Sequence, residues 1–315
     1  METIKIKFCD FWEGFDGLNN YFINLLSEKY IIEISDEPEI LFYSCFGRKH
    51  LNYRCIRIFF TGENIRPDFT GCDYAMTFDY SDHPRHFRLP LYSLYIKNNN
   101  KVTGKSKSLE ELTSGRNKQE MENIWKNKSK FCCIVVSNPK SKKRLNFFKK
   151  LNKIKRVDSG GKILNNVGGP INDKIDFIKD YKFVLSFENA SYPGYTTEKI
   201  IEPVFADCIP VYWGNPLVWR DFNSKRFLNY SDFQTEDDLI RKMIEIDNDT
   251  EKAIQMISEP VFPKNIVPEN IKDENILKFI SKIISEKSSV KPVAKSTKRY
   301  FHLYFELILA AKRLI

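Results

Sequence analysis

Residues 181–216 read YKFVLSFENASYPGYTTEKIIEPVFADCIPVYWGNP. The apolar run 183–187 predicts a strand, and a polar turn with Asn189, Ser191, Pro193 and Gly194 follows it. Thr196 or Thr197 is suited to cap a helix over 197–206, and 209–213 predicts the next strand. Open α/β sheets bind ligands at the carboxyl edge of their strands. A helix start there presents unpaired N–H groups with partial positive charge, which suits a diphosphate. Lys199 adds a full charge in the first turn, and Glu198 beside it is placed to bond a sugar or ribose hydroxyl. Taken alone, an ordinary capped helix with a surface Glu–Lys pair accounts for these residues somewhat better. The density of specific residues over the whole stretch shifts the balance.

Outward from this stretch, short strands and helices alternate in both directions. Strands are predicted at 4–8, 30–34, 40–45 and 56–60, with a helix over 18–29 carrying Leu18, Phe22, Leu25 and Leu26 on one face. Residues 98–130 are polar and lysine-rich, with Gly104, Ser106, Ser108, Ser114 and Gly115, and read as a surface excursion with one helix around 118–125. The alternation then restarts with a strand over 131–136, a basic helix over 142–151, a short strand at Val157 and a helix over 173–180. The expected class is α/β, with parallel sheets covered by helices. The expected domains are 1–127, 128–275 and a helical tail with a basic linker at 276–315.

The chain of 315 residues is long enough for two cores; 42% of it is hydrophobic and 29% charged, which excludes a disordered class for most of it. The net charge of +9 suits anionic partners without choosing among them. Seven cysteines, odd in number and never spaced C-x-x-C, read as buried thiols in a reducing compartment. The four histidines form no metal-ligand pattern in the sequence. The N-terminus alternates like a first strand and shows no apolar signal region, so the expected location is cytoplasmic, including the cytoplasmic face of the inner membrane. Residues 299–315 pair apolar Phe301, Phe305, Leu307, Ile308, Leu309, Leu314 and Ile315 with Arg299, Lys312 and Arg313. They read equally as a helix lying on a membrane surface and as one docked on the protein's own core.

The stretch FENASYPGYTTEKIIEPVFADCIPVYWGNP resembles the signature of the α-1,3/4-fucosyltransferases, glycosyltransferase family 10 of bacterial type: FEN, then GYVTEK, then IPIYWG. Phe59 to Asn64 resemble that family's TGEN segment, and Val135 to Asn138, with Arg144, Phe147 and Phe148, its SN…R…F segment. The resemblance spans roughly residues 4–260. It implies a GT-B fold, two Rossmann-like domains facing across a cleft, and an inverting transferase. L-Fucose would move from GDP-β-L-fucose to a GlcNAc hydroxyl of a LacNAc-type glycan, α-1,3 with α-1,4 left open, in Lewis-antigen or lipopolysaccharide assembly.

Residue by residue, the resemblance implies Glu63 as general base and Asn64 beside it on the acceptor side. It implies Arg144 and Lys199 on the diphosphate, Tyr195 and Glu198 near ribose and fucose, and Asn138, Asn189 and Thr197 in the same donor pocket. A carboxylate base raises a hydroxyl's nucleophilicity, and cations at the leaving diphosphate act most strongly in the transition state. No Asp-x-Asp motif stands where a donor-phosphate metal would be held, so no essential metal or cofactor is expected, a divalent ion being at most stimulatory. Arg144 also reads as a solvated charge in a lysine-rich helix start, and the glycine turn 158–161 equally as a nucleotide contact and as a plain turn. Tyr212 and Trp213 read as core. Glu202-Pro203 departs from the family pattern beyond the first turn of the donor helix. Residues 92–131 match no motif and are a place for acceptor choice. The competing readings are another donor or acceptor on this scaffold, a sugar-binding protein without catalysis, and a basic nucleic-acid-binding protein. The last is disfavoured because no nucleic-acid motif is present and the aromatics sit in apolar runs.

Overall fold

The computed structural model describes residues 1–102, 107–114 and 116–313. Gly104, Ser106, Gly115, Leu314, Ile315 and the side chains of Phe305 and Leu309 lie outside the described residues. The strands are β1 (Thr3–Cys9), β2 (Ile31–Ile34), β3 (Ile40–Tyr43), β4 (Ile56–Phe60), β5 (Tyr74–Thr77), β6 (His86–Arg88), β7 (Lys130–Ile134), β8 (Val157–Ser159), β9 (Tyr181–Phe187), β10 (Ile209–Trp213) and β11 (Leu228–Asn229). The α-helices are α1 (Tyr21–Leu26), α2 (Leu91–Val102), α3 (Leu109–Thr113), α4 (Lys118–Asn127), α5 (Lys142–Ile154), α6 (Lys174–Ile178), α7 (Glu198–Phe205), α8 (Glu236–Asn248), α9 (Thr250–Ser258), α10 (Asp273–Glu286) and α11 (Lys298–Arg313).

The chain divides into two units, Met1–Leu91 with Glu269–Ile315, and Tyr92–Pro268. The boundary suggested near Asn127 thus lies inside the second unit. Met121 and Trp125 of α4 are buried in the core of that unit, against Phe131 and Phe183 of its sheet. The tail is no separate domain either. Residue 269 onward belongs to the first unit, where the Val293 N–H donates to Asp73 Oδ1 at 2.8 Å.

Each unit holds one parallel sheet. The first runs β2-β1-β3-β4-β5-β6 and the second β11-β10-β9-β7-β8. Each therefore reverses its strand order once, between β1 and β3 and between β7 and β9. At such a reversal the loops leaving the two strands diverge and open a crevice. Strands β3, β4 and β5 are buried along their whole length, as continuous apolar runs require in a parallel sheet covered on both faces. Helix α1 begins three residues later than its periodicity predicts. Asn20 Oδ1 accepts from the N–H groups of Phe22 and Ile23 at 3.0 and 3.2 Å and so caps the helix, leaving Leu18 exposed.

The crevice of the first sheet is filled by a buried polar chain. Asp10 follows β1 and accepts from the His50 Nδ1–H at 2.7 Å. His50 Nε2 and His302 Nε2 are 3.1 Å apart, and His302 Nδ1 lies 2.9 Å from Asp68. The two ring centroids are 5.4 Å apart, which is the N···N distance plus one ring radius at each end, so the nitrogens point at one another. Three hydrogen bonds in this row need three N–H protons, and two neutral imidazoles carry two. The middle bond therefore forms only when one ring carries a second N–H; at His50 burial opposes that charge more than Asp10 favours it and pulls the ring below its ordinary value. Sequence spacing showed no relation between these histidines because they are 252 residues apart.

This chain fastens α11. His302 is 4% exposed, and a Cβ on Gly71 would fall 2.3 Å from its ring. Arg48 adds an ion pair to Glu306 at 3.3 Å. His302→Ala removes the partner of His50 Nε2 in a buried site and one of the donors to Asp68, and a loss of about 1–3 kcal/mol from the docking of α11 is expected. Amide hydrogen exchange read by mass spectrometry should show faster exchange over 298–313, with β7 to β11 unchanged.

Candidate donor and acceptor residues

The sequence-predicted donor residues come together at the strand-order reversal of the second sheet. Arg144 lies in the first turn of α5 and is 3% exposed. Its Nη1 donates to the Phe187 carbonyl at 3.1 Å and to Asn189 Oδ1 at 3.2 Å. Its Nη2 donates to the Asn138 carbonyl at 2.7 Å. One guanidinium thus ties the loop leaving β7 to the end of β9, across the crevice. The solvated-charge reading of Arg144 does not hold. Burial pulls its pKa down, and Glu188 opposes that. Its Nε is buried with no hydrogen-bond partner among the described residues.

Thr197 stands at the cap position of α7, with extended backbone at φ −110° and ψ −165°. Its side chain does not cap the helix. The hydroxyl donates instead to Glu188 Oε2 at 2.7 Å, and the Thr197 N–H donates to Glu188 Oε1 at 2.7 Å. Lys199 Nζ donates to Thr197 Oγ1 at 2.9 Å and lies 3.1 Å from Glu198 and 3.3 Å from Glu188. Burial works against the charge of Glu198, but Lys199 and Lys174 outweigh it and hold this carboxyl down at about 2. Burial likewise works against the Lys199 charge; Glu188 and Glu198 prevail and raise its pKa well above the ordinary value. Tyr195, 1% exposed, lies near both Arg144 and Lys199. Gly194 adopts φ 88° and donates its N–H to Asn215 Oδ1 at 2.8 Å, which shapes the turn before Tyr195.

Two residues of this site were passed over in the sequence. Lys174, at the start of α6, lines a small cavity with Arg144 and Lys199 and pairs with Glu202. Glu188 closes β9 and is fully buried, and burial pushes its carboxyl above the ordinary value against the pull of Lys199. A Glu directly after a mostly apolar strand was the available signal; Lys174 sits in a polar segment that offers none. The glycine turn 158–161 is filled by protein. A Cβ on Gly161 would meet the Val136 carbonyl oxygen at 2.0 Å, and one on Gly160 would meet Ile171 and Phe177. Tyr212 is core, as expected, with its hydroxyl accepting from the Asn215 N–H at 3.0 Å.

Glu63 and Asn64 lie in the first unit, in the loop that leaves β4. The Glu63 N–H donates to Thr61 Oγ1 at 2.9 Å, and Gly62 packs so closely that a Cβ would fall 2.6 Å from Leu91 Cδ2. The Glu63 carboxylate is half-buried and has no hydrogen bond or ion pair among the described residues. It is thus available as an acceptor for a substrate hydroxyl. Asn64 Oδ1 is taken by Arg66 at 2.5 Å. Among the described residues there is no group of three or more His, Cys, Asp or Glu side chains able to hold a metal ion.

Residues 6–95 match the α-(1,3)-fucosyltransferase FucT N-terminal domain, and residues 125–256 match the C-terminal domain of glycosyltransferase family 10 (fucosyltransferase). The α-(1,3)-fucosyltransferase FucT of Helicobacter pylori is 35% identical over 268 residues, covering 75% of this chain and 56% of that protein. The chain thus spans little more than half the length of this relative. The crystal structure of an α1,3-fucosyltransferase with GDP is 31% identical and superposes with a TM-score of 0.73 over 90% of this chain and 91% of that one. A crystal structure of an α1,3-fucosyltransferase with GDP-fucose is 29% identical, with the same TM-score of 0.73 and the same coverage of 90% and 91%. The fold is GT-B, with two Rossmann-like units, and the chain belongs to glycosyltransferase family 10, the fucosyltransferase family.

Proposed function

We propose that this chain transfers L-fucose from GDP-β-L-fucose to a GlcNAc hydroxyl of a LacNAc-type glycan, forming an α-1,3 linkage with inversion at the anomeric carbon. The observation that carries this reading is the small cavity shared by Arg144, Lys174 and Lys199, beside a helix start that the Thr197 side chain does not cap. A diphosphate beside these residues meets three cations and the positive end of the helix at once. In this reading Glu63 takes the proton of the acceptor hydroxyl, and Arg144 and Lys199 stabilise the charge that GDP gains as its bond to fucose breaks. Glu198 and Tyr195 face the ribose and fucose, and Asn138, Asn189 and Thr197 shape the pocket around them. Asn64 stands on the acceptor side. Cationic side chains meet the donor's charge, with no essential metal.

The test is GDP release from GDP-fucose with and without N-acetyllactosamine, in the presence and absence of EDTA, beside GDP-mannose and UDP-galactose. Acceptor-dependent release from GDP-fucose alone, unaffected by EDTA, is the expected result. Absence of both release and calorimetric GDP binding would remove the donor-site assignment.

We place the chain in the cytoplasm, held peripherally at a membrane through 299–313. All seven cysteines are free and most are buried, which suits a reducing compartment. No helix among the described residues is long and apolar enough to cross a membrane. On α11, Tyr300, Phe301, Tyr304 and Leu307 are exposed by 61 to 70%, with Lys298 and Arg299 beside them, while His302 docks on the opposite face. Docking through His302 thus leaves the apolar face that the membrane reading requires. Phe301→Asp with Tyr304→Asp should lower binding to phosphatidylglycerol–phosphatidylethanolamine vesicles by about ten-fold or more in co-sedimentation. Unchanged binding would exclude α11 as the contact.

A further inference from the structure

A buried carboxylate is an unexpected neighbour for a diphosphate. Glu188 is 0% exposed, and its place is fixed from two sides. It follows the last residue of β9, and a Cβ on Gly214 would fall 2.4 Å from its Cγ. Both of its oxygens are filled by protein donors. Oε1 takes the Thr197 N–H and Oε2 the Thr197 hydroxyl, while Lys199 reaches Oε2 at 3.3 Å. Thr197 Oγ1 accepts in turn from Lys199. The charge of Glu188 is therefore turned inward, onto groups of its own chain.

The consequence lies with Thr197. A threonine at this position with extended backbone ordinarily turns its oxygen to the N–H of the second or third helical residue and caps the helix. Here the hydroxyl is drawn away, and α7 starts uncapped. An uncapped start of a helix of this kind leaves orphan donors that an anion can take. A second observation points to a ligand beside that first turn, where Lys199 lines a small cavity. Arg144, on the cavity it shares with Lys174 and Lys199, keeps a buried Nε without a partner among the described residues.

We propose that Glu188 is a positioning residue of the donor site: by holding the hydroxyl and N–H of Thr197 it prevents Thr197 from capping α7, and so leaves N–H groups of that first turn to the donor diphosphate. This rests on the donor-site reading given above. A residue that merely filled space would act through stability alone. A residue that withholds a cap acts through the Thr197 hydroxyl, and removing that hydroxyl should undo its loss.

The experiment is GDP affinity by titration calorimetry on the full chain, with thermal unfolding as the folding check. Glu188→Ala should weaken GDP binding by about ten-fold or more. Glu188→Gln should stay within about three-fold of wild type, because its amide oxygen still accepts the Thr197 N–H and its amide nitrogen still engages the hydroxyl. Thr197→Val in the Glu188→Ala background should recover most of the loss, since valine has no oxygen with which to cap. Wild-type affinity in Glu188→Ala, or a folded double variant that recovers nothing, overturns the proposal. Should Glu188→Ala fail to fold, Glu188→Gln decides alone, and a folded Gln variant weakened ten-fold or more overturns it as well. A wild-type chain that does not bind GDP removes the donor-site reading itself, and this proposal with it.

Discussion

Lys199→Ala is expected to lower kcat for fucose transfer by about 10²–10³-fold, and to weaken GDP binding by much less. The ammonium is held between Glu188 at 3.3 Å and Glu198 at 3.1 Å, so part of its charge is already balanced before any ligand arrives. A bound donor diphosphate shares what remains. As the bond to fucose breaks, the β-phosphate gains further negative charge, and a cation that needs no rearrangement stabilises that added charge most. Removal of Lys199 thus falls mainly on the transition state. It also strips Glu188 of its counterion, and burial then favours the protonated carboxyl, which limits the penalty to the fold. The measurement is kcat and KM for GDP-fucose together with the calorimetric Kd for GDP. A loss confined to Kd and KM, with kcat unchanged, would show that Lys199 binds the donor equally in ground and transition states.

The features of the proposed donor site that could be read in the sequence were those carried by one continuous segment. Strands β4 and β10 run as their apolar stretches predict, Ile56–Phe60 and Ile209–Trp213, because parallel strands buried on both faces leave little polar ambiguity. Helix α7 starts where the threonines and the Glu-Lys pair indicate, since the end of a strand and the start of a helix are both local signals. What the sequence does not carry is the use of a side chain once it is folded. Thr197 has the identity of a cap and the position of a cap, yet Glu188 draws its hydroxyl elsewhere. Long-range returns were equally hidden. Nothing near His50 or His302 announces a partner 252 residues away, and nothing near residue 269 announces that the chain rejoins its first unit. The polar stretch before β7 reads as a linker by composition. Met121 and Trp125, four residues apart on α4, supply a buried stripe too short to stand out against its lysines.

The second large effect is expected at Glu63. Glu63→Gln should lower kcat by about 10²–10⁴-fold and leave calorimetric GDP affinity unchanged, because every residue proposed above to bind the donor belongs to the second unit and Glu63 to the first. The amide matches the carboxylate in shape but cannot accept a proton from an acceptor hydroxyl. The substitution should also leave thermal stability unchanged. The carboxylate has no hydrogen bond or ion pair among the described residues, and the loop is held by the Glu63 N–H on Thr61 Oγ1 and by the close packing of Gly62 on Leu91, all of which the variant keeps. This absence of internal partners separates Glu63 from the other carboxylates of the proposed machinery. Glu188 and Glu198 are engaged by Lys199 and Glu202 by Lys174, so each answers first to its own chain. Only Glu63 among them offers a free carboxylate, which is what a general base requires. A Glu63→Gln variant that turns over at the wild-type rate would assign proton removal to another group and would leave the donor site as it stands.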